Sequence, residues 1–277
     1  MPELPEVESI CRRLEPLVVG RTIERVSIGD LRLVQPSSPA EVASALTGRK
    51  ITALERRGKY LVVGFESGLA LLAHLRMTGS FRLGDRKELE DDGYRRAVIE
   101  FDDGSALSYR DVRRFGTWRL LDADELEGFL AERLGPEPLS ADFTPGVLGE
   151  RLSGRRAPIK AALLDQRTIA GLGNIYVDEA LWRARVHPAR RAGGLGKATI
   201  ARLHDGICAA LEEGIERQGA TLRDYALPAG ERGSMQDEFR VYGRDGKPCE
   251  RCGSAISKTR IAGRGTWFCP RCQKRRT

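Results

Sequence analysis

Four cysteines carry the spacing of a metal site. Cys249-x2-Cys252 and Cys269-x2-Cys272 are separated by sixteen residues, and two such knuckles can present four thiolates to one tetrahedral Zn2+ with no coordination position left open. The expected ion is therefore a single structural zinc, with folding of the short module coupled to its binding. Two disulfides are the alternative, which a reducing compartment disfavours. At the other end of the chain, Pro2-Glu3 offers different chemistry. With Met1 removed, Pro2 becomes a secondary amine, and because an α-amino group titrates near pH ~8, part of it is neutral and nucleophilic at physiological pH. Condensed with a sugar C1′, such an amine gives an iminium, an electron sink for elimination. Glu3 and Glu6 are nearby acids able to donate or relay the protons. Pro followed by acids is also ordinary helix-start chemistry, and residue physics alone favours that plainer reading.

A third constellation, Gly171-Leu172-Gly173-Asn174, places two glycines before a helical pattern whose first free amides form an anion site. Alone it reads as a packing turn. Its neighbour along the chain changes the balance: residues 244–277 hold ten Lys or Arg against Asp245 and Glu250, a net +8, whereas the whole chain of 277 residues carries only +7. Positive charge concentrated on a small module fits a polyphosphate partner. A DNA phosphate then becomes the better candidate for Asn174.

The elements that must position these residues follow from the pattern. Val7, Ile10, Cys11, Leu14 and Leu17/Val18 recur at helical spacing over residues 3–18. From Thr22 to Leu121 short alternating segments, with Glu66-Ser67-Gly68 and Asp102-Asp103-Gly104 as turns, predict a β-sandwich or barrel-like meander. A short helix over 124–134 precedes a linker, Gly135-Pro136-Glu137-Pro138. Thr144-Pro145 then opens helices expected over 145–153, 158–165, 174–186 and 196–218. Cys11 and Cys208 fall in helical patterns as small apolar residues. The expected organisation is a β-sandwich domain over 1–135, a linker over 136–143, a helical domain over 144–230 and a zinc finger over 240–277. No apolar run approaches the roughly 20 residues a spanning helix needs. The acidic, Pro-broken start lacks the form of a signal peptide, and a cytoplasmic protein is expected.

Six motifs occur in order: Pro2-Glu3-Leu4-Pro5-Glu6-Val7-Glu8, Arg57-Gly58-Lys59-Tyr60, His74-Leu75-Arg76-Met77-Thr78-Gly79, Asp111-Val112-Arg113-Arg114-Phe115-Gly116, Gly171-Leu172-Gly173-Asn174-Ile175-Tyr176 and the cysteine pairs. Together they resemble the formamidopyrimidine-DNA glycosylase family over essentially the whole chain. The resemblance implies an α+β multidomain protein: an N-terminal β-sandwich flanked by helices, a helix-two-turns-helix domain and a C-terminal zinc finger, clamping damaged double-stranded DNA. It implies a bifunctional glycosylase and lyase of base excision repair that removes 8-oxoguanine and ring-opened purines and cleaves the strand by β,δ-elimination.

Carried over by residue, the resemblance makes Pro2 the Schiff-base nucleophile and Glu3 the acid that protonates the sugar oxygen. Lys59 contacts phosphate and donates a proton in β-elimination, Arg264 clamps phosphate and assists δ-elimination, and Asn174 holds a backbone phosphate. Met77, Arg113 and Phe115 fill the gap left by the extruded base, a wedge and a guanidinium suited to the task. The segment 219–238 corresponds to a flexible cover over that base. Tyr94 and Arg155 are further DNA-contact positions, and both depart from the usual pattern: Tyr94 stands where relatives often have histidine, and Arg155 where they often have lysine. His74 is expected to position backbone. The competing readings are an endonuclease VIII-like glycosylase of oxidised pyrimidines and a non-catalytic damaged-DNA-binding protein. Leu4 and the complete Met77, Arg113, Phe115 set favour the purine enzyme, and one chain holding both lobes predicts a monomer.

Overall fold

The structure, a computed structural model, describes residues 1–66, 68–85, 92–222 and 225–275. The chain divides into two compact units, Met1–Ala131 with Arg217–Ser234, and Glu132–Glu216 with Met235–Thr277.

The first unit opens with α1 (Leu4–Val18), capped by Glu3 and begun by Pro5 in its first turn. Val7, Ile10, Leu14 and Val18 form its buried stripe. The strands that follow are β1 (Ile23–Ile28), β2 (Ile51–Arg57), β3 (Tyr60–Phe65), β4 (Ala70–His74), β5 (Gly79–Asp85), β6 (Arg95–Phe101), β7 (Ser105–Asp111) and β8 (Thr117–Leu121). They make two antiparallel four-stranded sheets, ordered β1-β6-β7-β5 and β2-β3-β4-β8. One core joins them: Ile23, Ile99, Leu107 and Phe81 from the first, Leu54, Leu61, Leu71 and Trp118 from the second, with Ile10 and Leu14 of α1. Each such side chain taken fully out of water contributes about 1.5–3 kcal/mol. The expected sandwich is present. Of the two expected turns, Asp102-Asp103-Gly104 joins β6 to β7, while Ser67 of Glu66-Ser67-Gly68 lies outside the described residues.

Two helices interrupt the expected run of strands, α2 (Leu31–Val34) and α3 (Pro39–Leu46). Asp30 caps α2, and α3 carries a full capping box, with the Ser38 hydroxyl accepting from Glu41 N–H and the Glu41 carboxylate accepting from Ser38 N–H. The second difference is the return of residues 217–234 to this unit, where the sequence reading continued the helical domain to residue 230. Burial drives the return: Leu227 is wholly inside the sandwich core and Tyr225 nearly so.

After α4 (Ala123–Arg133), the second unit contains α5 (Pro145–Leu152), α6 (Ile159–Leu164), α7 (Asn174–Arg183) and α8 (Lys197–Glu216), then the hairpin β9 (Ser257–Ile261) and β10 (Arg264–Phe268). Thr144 caps α5 through Val147 N–H, as Thr144-Pro145 suggests. α7 is buried from Ile175 to Trp182. Its Glu179 carboxylate, fully buried, accepts the N–H groups of Arg240, Val241 and Tyr242 at 3.0–3.1 Å. Burial raises the Glu179 pKa and those three donors oppose it. The approach to the cysteine module is thereby tied to the middle of the helix. Among the described residues no helix is long and apolar enough to cross a membrane.

Candidate functional site

Pro2 is buried and Glu3 is 3% exposed at the start of α1. Glu3 N–H donates to Glu6 Oε2 at 2.8 Å, and Ala220 N–H donates to Glu6 Oε1 at 2.8 Å. Glu6 is thereby engaged as an anchor between the chain's first residues and the returning segment. Gly219 sits at φ +80°, and a Cβ there would lie 2.7 Å from Glu6 Cγ, so only glycine allows this approach. Tyr225 closes the turn by donating to Gln218 O at 2.9 Å. Of the expected cover, 219–238, residues 223 and 224 lie outside the described residues.

Two turns present the expected wedge. Met77 lies between β4 and β5, Arg113 and Phe115 between β7 and β8. The Asp111 carboxylate joins the turns, accepting from the Thr78 hydroxyl at 2.5 Å and from the N–H groups of Arg113, Phe115 and Gly116 at 3.2, 2.9 and 2.7 Å. A Cβ at Gly116 would meet Tyr109 Oη at 1.8 Å, which keeps this corner tight. Arg76 and Arg114 occupy left-handed backbone, φ 53° and 57°, a conformation that needs support at a non-glycine residue. His74 Nδ1 accepts from Arg76 N–H at 2.9 Å, and Asp30 grips Arg114 with two hydrogen bonds, 2.6 and 2.8 Å. That bond to Arg114 holds the Asp30 carboxyl below the usual range. Burial, then Arg76 and Lys59, push the His74 pKa down to about 3, so the ring is neutral and Nδ1 is free to accept. His74 thus does position backbone.

Supported this way, Phe115 stands 51% exposed with the Arg113 guanidinium carbon 4.8 Å from its ring centre. Met1, Met77 and Phe115 line one surface pocket of about 510 Å3. Tyr94 is exposed; its carbonyl accepts from Asp111 N–H at 3.0 Å, and the Arg110 guanidinium carbon lies 4.9 Å from its ring centre. Lys59, in the β2–β3 turn, is only 6% exposed.

In the second unit, Asn174 is the first residue of α7 and its Nδ2 donates to Gly265 O at 3.0 Å. Lys160, wholly buried, donates to the same carbonyl at 2.9 Å and to Asp178 Oδ1 at 2.8 Å, and Asp178 Oδ2 accepts from Trp267 N–H at 3.0 Å. Burial raises the Asp178 pKa and Lys160 opposes it. This clasp fixes β10 against α7 and presents exposed Arg264, one residue from Gly265, at a hairpin whose Ala262 and Gly263 both have positive φ. Asn174 and Arg264 are brought together. Gln166 braces the preceding turn, accepting from Gly171 N–H and donating to Leu172 O. Arg155 differs: its guanidinium is engaged by Asp165 at 3.3 Å and Arg151 O at 2.8 Å.

The sulfurs of Cys249, Cys252, Cys269 and Cys272 lie within 4.8 Å of one another. A tetrahedral zinc with Zn–S near 2.3 Å sets sulfurs about 3.8 Å apart, and Cys252 and Cys269 are at 3.5 Å with no disulfide formed. The quartet fits zinc. Trp182 Nε1 donates to Cys249 Sγ at 3.4 Å, and Gln273 bridges Cys269 N–H and Val186 O, so the surroundings orient the ligands.

Asp30, Asp111, Lys160, Gln166 and Asp178 went unassigned in the sequence reading. Asp111 carries one signal there, an acid opening a turn with two arginines; Asp30 and the Lys160–Asp178 pair, eighteen residues apart on different helices, carry none.

The formamidopyrimidine-DNA glycosylase N-terminal domain profile matches residues 1–118, the H2TH domain profile of the same glycosylases residues 134–226, and a zinc finger found in FPG and IleRS residues 246–275. Formamidopyrimidine-DNA glycosylases of Roseiflexus sp. (strain RS-1) and Geobacillus kaustophilus (strain HTA426) are 46% and 47% identical to the chain, spanning 99% of it and 100% of each relative. A Lactococcus lactis Fpg in complex with an abasic site containing DNA superposes with TM-score 0.92 at 40% identity, covering 99% of this chain and 100% of that one. A complex of the same protein with a N7-benzyl-Fapy-dG containing DNA gives 0.92 at 41% identity over the same shares.

Proposed function

Since the chain belongs to the formamidopyrimidine-DNA glycosylase family, we propose that this base excision repair glycosylase is bifunctional, removing 8-oxoguanine and formamidopyrimidines through an N-terminal proline and then cutting the strand. One observation carries the reading. Pro2 is buried at the head of α1 while its neighbour Met1 lines the pocket of Met77 and Phe115, so removal of Met1 leaves a secondary amine facing the side chains that replace an extruded base.

In the proposed sequence, the Pro2 nitrogen bonds to C1′ of the damaged nucleotide and the C1′–N bond to the base breaks, the base leaving with a proton. Glu3 protonates the sugar ring oxygen as the ring opens, and the nitrogen lone pair completes an iminium. The iminium then accepts the electrons of the C2′–H bond while the 3′ phosphate departs, which is β-elimination. A second elimination expels the 5′ phosphate. Lys59 holds phosphate and supplies a proton to the first departure, and Arg264 neutralises phosphate in the second. Burial of Lys59 supports this assignment, since an ammonium out of bulk water interacts with phosphate more strongly. Met77 and Phe115 fill the vacated stack and Arg113 bonds the orphaned base. Asn174 and the free amides of α7 take a backbone phosphate. The Arg155 contacts with Asp165 and Arg151 weaken the case for a DNA role there, and Tyr94 remains an exposed ring at the edge of the wedge turns.

The zinc that the cysteine quartet fits is taken as one structural ion, holding the hairpin that carries Arg264. The enzyme is proposed to act as a cytoplasmic monomer. Incubation with a duplex bearing one 8-oxoguanine opposite cytosine tests the reading: free 8-oxoguanine and a gap phosphorylated at both ends are expected, with slower release from a dihydrothymine duplex. Faster release of dihydrothymine assigns the chain to pyrimidine repair, and tight binding without release makes it a non-catalytic binder.

A further inference from the structure

The end of α7 remote from Asn174 opens onto a groove of about 750 Å3 lined by six arginines and Lys274. Ten residues of helix span about 15 Å, which separates this groove from the Gly265 carbonyl at the other end. Some of its charge has a structural duty. Arg251 donates to the carbonyls of Trp182 and Arg183 at 2.5 and 3.3 Å and lies 3.6 Å over the Trp182 ring, capping the helix where its dipole is negative. Arg183 pairs with Glu213. Arg185, Arg271 and Lys274 have no such duty: all three are exposed, and none has a carboxylate partner among the described residues. Seven cations against the Glu213 carboxylate and the zinc thiolates leave the potential in the groove positive and mark it for an anion.

The walls also restrict what that anion is. Beyond the cations, the described lining consists of Thr199, Cys252 and Cys272. No aliphatic or aromatic side chain lines it, so the groove lacks the buried anchors on which a peptide's affinity ordinarily depends. The Trp182 ring at the end of α7 is covered by Arg251, and the described lining offers no platform for stacking unpaired bases. A duplex phosphate backbone needs neither, and planar guanidinium forks suit it. We propose that this groove binds the backbone of a second DNA duplex, on a surface distinct from the one carrying Arg264 and Asn174 and independent of the excision chemistry.

The test uses the zinc-loaded full chain bound to an immobilised duplex containing an abasic-site analogue, and measures capture of a second, undamaged 20-base-pair duplex in solution. The triple variant Arg185→Ala, Arg271→Ala, Lys274→Ala is expected to retain zinc and the first duplex but to capture the second at least about tenfold more weakly, with a slope of log affinity against log salt smaller by about 3. Polyglutamate and a single strand of equal charge are expected to compete poorly. Capture unchanged in the variant, or absent in the parent, overturns the proposal. Displacement by polyglutamate as effective as by duplex reassigns the groove to an acidic peptide and overturns it equally.

Discussion

Replacing Lys160 with methionine removes one end of the clasp that fixes the hairpin to α7 while keeping its volume. Lys160 and Asp178 are both 0% exposed. In the variant the Asp178 carboxylate keeps Trp267 N–H alone, and Gly265 O keeps Asn174 alone. Deleting one partner of a buried pair costs about 3–5 kcal/mol because the remaining charge is stranded. The Lys160→Met protein should therefore unfold about 3–5 kcal/mol more easily in urea with zinc bound, a large share of the 5–15 kcal/mol typical of a domain. Lys160→Met with Asp178→Leu should regain most of the loss, since an apolar pair of similar size is often neutral there. At non-denaturing conditions the single variant should also bind an abasic-site duplex less tightly, with a flatter salt dependence, because Arg264 immediately precedes Gly265 and moves with it. A single-variant cost below about 1 kcal/mol, or a double variant no better than the single, would refute the idea that this pair positions the hairpin.

Other expectations test separate parts of the account. Phe115→Ala should leave stability within about 0.5 kcal/mol, because the ring is half exposed, yet slow excision in single-turnover assays; an unchanged rate removes it from the wedge. Gly219→Ala should slow excision by displacing Glu6, and its signature is a weakened Ala220 amide in hydrogen exchange. His74 is disfavoured as a cation in the folded protein, so stability is fully present above pH ~6.5 and declines as pH falls toward 3, by up to about 1.4 kcal/mol per pH unit. Between pH 6.5 and 5, His74→Asn should therefore lose about 2 kcal/mol less stability than the parent. Chelation of zinc should expose four thiols to a colorimetric reagent and abolish the contribution of Arg264 to duplex binding, while the β-sandwich keeps its own unfolding transition.

The parts of this molecule that were legible in its sequence are those set by short-range rules. The stripe of Val7, Ile10 and Leu14 predicts α1 nearly to its ends, Thr144-Pro145 predicts the start of α5, and cysteine spacing predicts a quartet that the coordinates gather. α3 is not among the expected elements although Ser38-Pro39-Ala40-Glu41 spells out a capping box, because its eight residues lie within the span, Thr22 to Leu121, that the alternating segments on either side mark as strands. Positioning groups were harder. Ala220 reaches Glu6 across 214 residues and Lys160 meets Gly265 across 105, distances at which no local pattern operates. Burial of Lys59 is of the same kind, since the sequence shows only a lysine after a turn.

The central claim is that the amine of Pro2 becomes covalently joined to C1′ of a damaged nucleotide. Borohydride reduction during reaction with an 8-oxoguanine duplex, followed by digestion and mass spectrometry, measures this directly. The account predicts a stable adduct on the peptide beginning at Pro2, absent from Pro2→Gly protein treated in the same way at early times. Attachment to Lys59 or another lysine, with the Pro2 amine unmodified, would contradict it.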